Sequence, residues 1–269
     1  MKEVELLGRE DEMMDESPLK LPGVAEVEKL WDDLRASSEA FEGQRDRWRF
    51  CASEVLYPDS LFFLGLNPSE PTGQDHTRFG LKKLIEFDGI FNPLRKIAAQ
   101  LNWTYSYFDL FCFRRSRAGD LRKNLPKLLE TKEGRQAVAA MIELARQAIK
   151  TTSPKAIYVC NGTAQQTLQG KGPLADWLSE AGLSSAFFFA SPKPLHRPFS
   201  RGGDTNHFYY TVTRISGRPI PVLLGIDVKN THGLTNQDRD EIVIFLAQTF
   251  KDALRDGPEV FYRELAKSK

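Results

Sequence analysis

Residues 60–69 read Ser60-Leu61-Phe62-Phe63-Leu64-Gly65-Leu66-Asn67-Pro68-Ser69, and the reading of this stretch decides the fold. The run 61–64 is apolar on both faces and too short for an ordinary helix. It therefore reads as a strand buried on both sides, the kind that parallel sheets contain. Gly65 lets the backbone approach a neighbour closely, and Pro68 ends the pairing. Open α/β sheets bind ligands beyond the carboxyl ends of their strands, so Asn67 emerges where a site is expected. An Asn-Pro-Ser exit also makes a plain turn, with the Asn side chain bonding its own backbone.

Upstream, Val24, Val27, Leu30, Trp31 and Leu34 space out an amphipathic helix within residues 24–41. Residues 1–22 are acidic and expected to be loose, which leaves 23–269 as one domain. Downstream, a polar loop with Pro71, Gly73 and Gly80 leads to a helix over 81–87. Asn92-Pro93 starts a second helix through residue 101. Residues 103–113 read as the second strand, and 114–119 as a basic loop. A helix is predicted over 134–150, a third strand over 156–160, and a new helix from Asn161. A short helix within 172–182 precedes a fourth strand at 185–190. Residues 208–214 and 219–227 flank Ser216-Gly217 as a hairpin, and Asn236 opens a long last helix. The alternation predicts a three-layer α/β/α fold with a central four-stranded parallel sheet, plus a C-terminal β-hairpin and helix.

The net charge of +1 gives no global attraction to nucleic acid, so any basic footprint must be local. Cys51, Cys112 and Cys160 lie far apart in apolar surroundings and read as reduced core thiols. The histidines are scattered, no metal set is expected, and no cofactor fingerprint is present. No signal-peptide pattern heads the chain and no apolar run is long enough for a membrane span. The expectation is a cytoplasmic, nucleoid-associated monomer with no membrane contact.

The exit Gly65-Leu66-Asn67-Pro68-Ser69 resembles the first motif of the uracil-DNA glycosylase superfamily, in the form used by its mismatch-specific and single-strand-selective branches. Ser191-Pro192-Lys193-Pro194-Leu195-His196 resembles the family's second motif, usually His-Pro-Ser-Pro-Leu-Ser, which follows the fourth strand. Tyr107-Phe108-Asp109-Leu110-Phe111-Cys112-Phe113-Arg114 resembles its second strand. Ile157-Tyr158-Val159-Cys160-Asn161-Gly162-Thr163-Ala164-Gln165 resembles its third strand and the helix that follows. The resemblance covers about residues 55–200.

It implies a DNA glycosylase that extrudes a base and hydrolyses its bond to the sugar. Asn67 would orient the water, and Gly65, Leu66, Ser69, Phe79 and Asn161 would line the base pocket. Phe79 would stack the base; it is also well placed to be a helix-start core residue. Where the family often has an Asn that reads uracil, this chain has Asp109. A carboxylate accepts from the amine of cytosine and offers no donor to uracil O4 unless protonated. Ser69 stands where a bulky Tyr excludes 5-substituents in the tightest uracil enzymes, so the pair points to a substituted cytosine. Asp109 reads equally as a buried acid paired with a nearby arginine. Ser191 replaces the family's histidine, which donates to the departing base, and a hydroxyl is the weaker donor. Leu195 would be the wedge that fills the gap left by the flipped nucleotide. Arg114, Arg115, Arg117, Lys193, His196 and Arg197 would hold phosphates of single- or double-stranded DNA, the expected partner. Lys193 could in principle attack the sugar, but the expectation is hydrolysis without a lyase step. Asn67, Asp109, Asn161 and Ser191 are expected together at the carboxyl ends of strands. The alternative is a catalytically inactive DNA-binding module on the same fold.

Overall fold

The computed structural model describes residues 18–42, 48–53, 55–66, 91–113, 118–183, 191–195, 208–226, 228, 234–265 and 267, with the side chains of 40 and 118–123 excepted. The helices are α1 (Val24–Ser37), α2 (Asn92–Leu101), α3 (Ala118–Glu130), α4 (Lys132–Thr152), α5 (Gly162–Leu168), α6 (Pro173–Glu180), α7 (Asn236–Asp256) and α8 (Pro258–Glu264). The strands are β1 (Leu61–Gly65), β2 (Tyr105–Asp109), β3 (Ala156–Val159), β4 (Lys193–Pro194), β5 (Tyr209–Ile215) and β6 (Arg218–Leu224). They form one sheet in the order β2-β1-β3-β6-β5-β4.

β1 is a central strand, buried at every position and paired in parallel with β2 and β3. Its side chains alternate between the two faces. Phe62 and Leu64 join one core, with Phe108, Ile157, Val159, Val222 and Leu224. Leu61 and Phe63 join the other, with Tyr107, Tyr158, Tyr210 and Leu223. Burying each phenylalanine of β1 contributes roughly 1.5–3 kcal/mol, which explains why this run is central. α1, α3, α4, α5 and α6 cover the first face. α2 and α7 cover the second, with Phe261 and Tyr262 of α8 packed against it. These are the three layers the alternation predicted.

The sheet has six strands where four were expected, and the difference lies in the hairpin. β6 is no appendage: it pairs in parallel with β3 through Val222–Leu224. The fourth parallel strand beside β3 is therefore β6; the expected strand at 185–190 lies outside the described residues. Ile220 through Leu224 is buried throughout, as a central strand requires. Pro219 and Pro221 fall before the stretch paired with β3, where a missing N–H breaks no β3 bond. β5 returns antiparallel through Ser216-Gly217, whose φ values of 50° and 82° suit the turn that matches strand twist. β4 adds a short antiparallel edge.

Other boundaries move for local reasons. β2 spans five residues of the expected 103–113, because β1 ends opposite Asp109. Beyond it the Leu110 and Phe111 N–H groups donate to the carbonyls of Gly65 and Leu66. The helix expected over 134–150 gains a turn from Thr131, whose side chain accepts from the Gly134 N–H. The first helix stops at Ser37, and Phe41 follows in a 3-10 turn. The end of the acidic N-terminal stretch is not loose: the Leu19 N–H donates to the Leu56 carbonyl and Leu21 is buried. Residues 1–17 and the helix expected over 81–87 lie outside the described residues. No helix among the described residues is long and apolar enough to cross a membrane.

Candidate functional site at the carboxyl edge of the sheet

The topology singles out one edge of the sheet. The next described helix after β1 is α2, which packs on one face of the sheet. The chain leaves β3 into α5, which packs on the other. Where the helices that follow adjacent parallel strands pack on opposite faces, sheets of this kind bind ligands beyond the carboxyl ends of those strands. The strand register aligns Asp109 with Gly65 at this edge. It continues through Cys160, whose N–H bonds the Leu64 carbonyl, and Gly225, whose N–H bonds the Val159 carbonyl.

The two glycines share a job. A Cβ on Gly65 would stand 2.3 Å from the Tyr107 hydroxyl, and one on Gly225 would stand 2.6 Å from the Tyr158 hydroxyl. Each glycine makes room for a tyrosine that leans from the row below toward the edge. Tyr158 donates to the Ile226 carbonyl at 2.9 Å. Tyr107 donates to Oδ1 of Asp109 at 2.8 Å. Neither tyrosine nor Gly225 stood out in the sequence as a site residue. One signal was present: Leu64-Gly65-Leu66 and Leu224-Gly225-Ile226 are the same kind of strand exit.

Asp109 is the chemically unusual group. Its residue is 2% exposed, and Oδ2 has no hydrogen-bond partner among the described residues. A buried acceptor left unpaired costs about 1–3 kcal/mol, so a native site that keeps one calls for a cause. Burial pushes the carboxyl pKa up to about 7, and the Tyr107 hydrogen bond offsets part of that rise. The Cys112 thiol is also pushed up, by burial first and then by Asp109 and Cys51. No ion pair holds Asp109 among the described residues; the arginines once expected beside it at 114, 115 and 117 lie outside them.

Asn161 sits beside this row and is committed in part. Its Oδ1 accepts from the N–H groups of Thr163 and Ala164, at 2.9 and 3.1 Å, and caps α5. Leu66 is buried in the core on the α5 side, and it contributes a carbonyl to Phe111 rather than a pocket wall. Asn67, Ser69 and Phe79 lie outside the described residues. Phe91, the next described residue after Leu66, meets the Tyr107 ring edge-on at 4.9 Å.

The stretch 191–195 reaches the same edge of the sheet, but several strands away from Asp109. β4 is separated from β1 by β3, β6 and β5. It runs toward the carboxyl edge, so Ser191, which precedes it, is on the amino side of Lys193. The Ser191 carbonyl accepts the Tyr262 hydroxyl at 2.6 Å. Lys193, expected to reach phosphate, donates to the Tyr262 carbonyl at 2.7 Å, with its Nζ 3.8 Å from that ring's centre. Leu195, expected as an apolar wedge, is 5% exposed and packs in the core with Phe208. An apolar side chain with a core within reach is buried there when no DNA stack is present to take it. His196 and Arg197 lie outside the described residues. The residues that leave the fourth parallel strand at the site's own edge are instead those after Leu224.

No group of metal-ligating side chains is found among the described residues. No model of a known protein family matches the chain, and no curated protein matches it.

Proposed function

We propose that this chain is a DNA glycosylase that hydrolyses the bond between deoxyribose and an extruded uracil-type or modified pyrimidine, with a 5-substituted cytosine as the best fit. The observation that carries the reading is Asp109: a buried carboxylate at the carboxyl edge of the sheet, with one oxygen held and the other without a partner among the described residues. Oδ2 accepts the exocyclic amine of the base. Asn67, two residues beyond Gly65, orients the attacking water, and Phe79 stacks the base. As water adds to the sugar carbon, the base leaves with the bonding electrons, and N–H donors at the edge, including the Asn161 amide, stabilise its charge. Removal of such a base serves DNA repair or defence against phage DNA that carries modified cytosines.

The test is incubation with duplex and single-stranded oligonucleotides carrying a panel of modified bases, scored for free base and alkali-labile abasic sites. Asn67→Ala is expected to lower the single-turnover rate by ~10²-fold while DNA binding persists. A second reading, a DNA-binding module without glycosidic activity, is supported by the separation of Ser191 from Asp109. It takes over if the unaltered protein releases no base from any member of the panel.

A further inference from the structure

We infer that Tyr107 is a positioning residue that fixes the Asp109 carboxyl, so that the edge selects a ring bearing an exocyclic amine over one bearing a carbonyl at the same place. The inference rests on the reading of Asp109 as the group that faces the base.

Tyr107 and Asp109 are two residues apart on β2, so both side chains stand on the same face of the sheet. The hydroxyl donates to Oδ1 at 2.8 Å. The tyrosine ring is itself held, edge-on against Phe91 and near 82° to it. The pair exists because position 65 is glycine: any Cβ there would meet both Oδ1 and the hydroxyl. An untethered carboxylate turns about its last bond and offers two equivalent oxygens. Here Oδ1 is taken, and Oδ2 alone is left as a buried acceptor with no partner among the described residues. An incoming N–H satisfies it. An incoming carbonyl faces it acceptor to acceptor and leaves both unpaired, the arrangement by which polar sites reject near-isosteres most strongly. Among the described residues, the titratable groups that interact with Asp109 are Tyr107 and the Cys112 thiol; the thiol stays neutral, held above its usual range by burial, Asp109 and Cys51. Gly65, opposite on β1, carries no charge.

Tyr107→Phe keeps the ring and its contact with Phe91 and removes only the hydroxyl. The probes are 1-methylcytosine and 1-methyluracil, titrated at about pH 8 into carbon-13-labelled protein with the Asp109 carboxyl as the NMR reporter; Asp109→Asn assigns its signal. The unaltered protein is expected to bind 1-methylcytosine more tightly, and Tyr107→Phe to lose about five- to tenfold of that preference. The Asp109 carboxyl of the variant is expected to titrate at higher pH, because the bond that favours its charged form is gone. An unmoved titration, an undiminished preference, or no response to either probe up to its solubility overturns the inference. Base release separates this from the glycosylase reading. Release by the unaltered protein with the same selectivity in Tyr107→Phe sinks the inference alone. No release from any DNA, with the 1-methylcytosine preference present and lost in the variant, sinks the glycosylase reading alone.

Discussion

Gly65 and Asp109 are register partners across β1 and β2, and a Cβ at position 65 would lie 2.1 Å from Oδ1 of Asp109. The same Cβ would crowd the Tyr107 hydroxyl. Gly65→Ala must therefore push the pair apart or shift the strand. Overpacking of this kind costs about 1–3 kcal/mol. The expected result is a lower urea midpoint together with loss of discrimination between amine- and carbonyl-bearing bases. A fully stable variant with unaltered discrimination would show that the crowding is relieved without moving Asp109.

The raised pKa of Asp109 also sets a stability profile. In the unfolded chain the carboxyl ionises near its ordinary value, about 4, while in the fold it holds its proton to about 7. The folded state thus binds the extra proton between these limits. The contribution is fully present below about pH 4 and is lost as pH rises to about 7. Asp109→Asn removes the titration and keeps the shape. Above pH 7 the variant is expected to be more stable than the unaltered protein by an amount on the order of a few kcal/mol, with the gap closing toward pH 4. Thermal midpoints of both proteins across that range check it, and parallel curves would mean that Asp109 ionises freely in the fold.

The same ionisation governs what the edge accepts. Above about pH 7 Oδ2 is a bare acceptor and suits the amine of a cytosine-type base. Below it the neutral acid carries a proton and can donate to a uracil-type carbonyl. Single-turnover release from cytosine-type relative to uracil-type oligonucleotides is therefore expected to rise with pH through about 7. Asp109→Asn, whose amide always offers a donor, is expected to favour uracil-type bases with no such pH dependence. A ratio that is flat in the unaltered protein would detach Asp109 from base reading.

The strands that carry Gly65, Asp109 and Asn161 to one edge were legible along the chain, and the parts that were not share a physical cause. The doubly buried run of β1, its glycine and the polar exit are local features, and so is the stripe that makes α4. Asp109 was reached through the resemblance of its strand, which places it at the base-reading position. What local pattern does not carry is which strand lies beside which. The apolar run 220–224 reads equally as half of a hairpin or as a central strand; only the pairing with β3 decides it. The Pro-Lys-Pro-Leu stretch was matched by its letters. Its burial depends on β5 and α8, which are distant in sequence. Tyr107 needed knowledge that Gly65 is its neighbour across the strands.

Leu195 offers the sharpest test of that last difference. It is 5% exposed, its N–H donates to the Phe208 carbonyl at 2.9 Å, and it belongs to the core shared with Tyr210 and α7. Leu195→Ala removes buried methyl groups and leaves a cavity, at a cost of about 2–5 kcal/mol. The expected outcome is a clear fall in the urea midpoint. Among molecules that remain folded, release from duplex and from single strands should then fall together or not at all. A wedge behaves otherwise, because it acts only where a base stack must be opened. An unchanged midpoint with release lost from duplex alone would mean that Leu195 is free to leave its core and enter DNA.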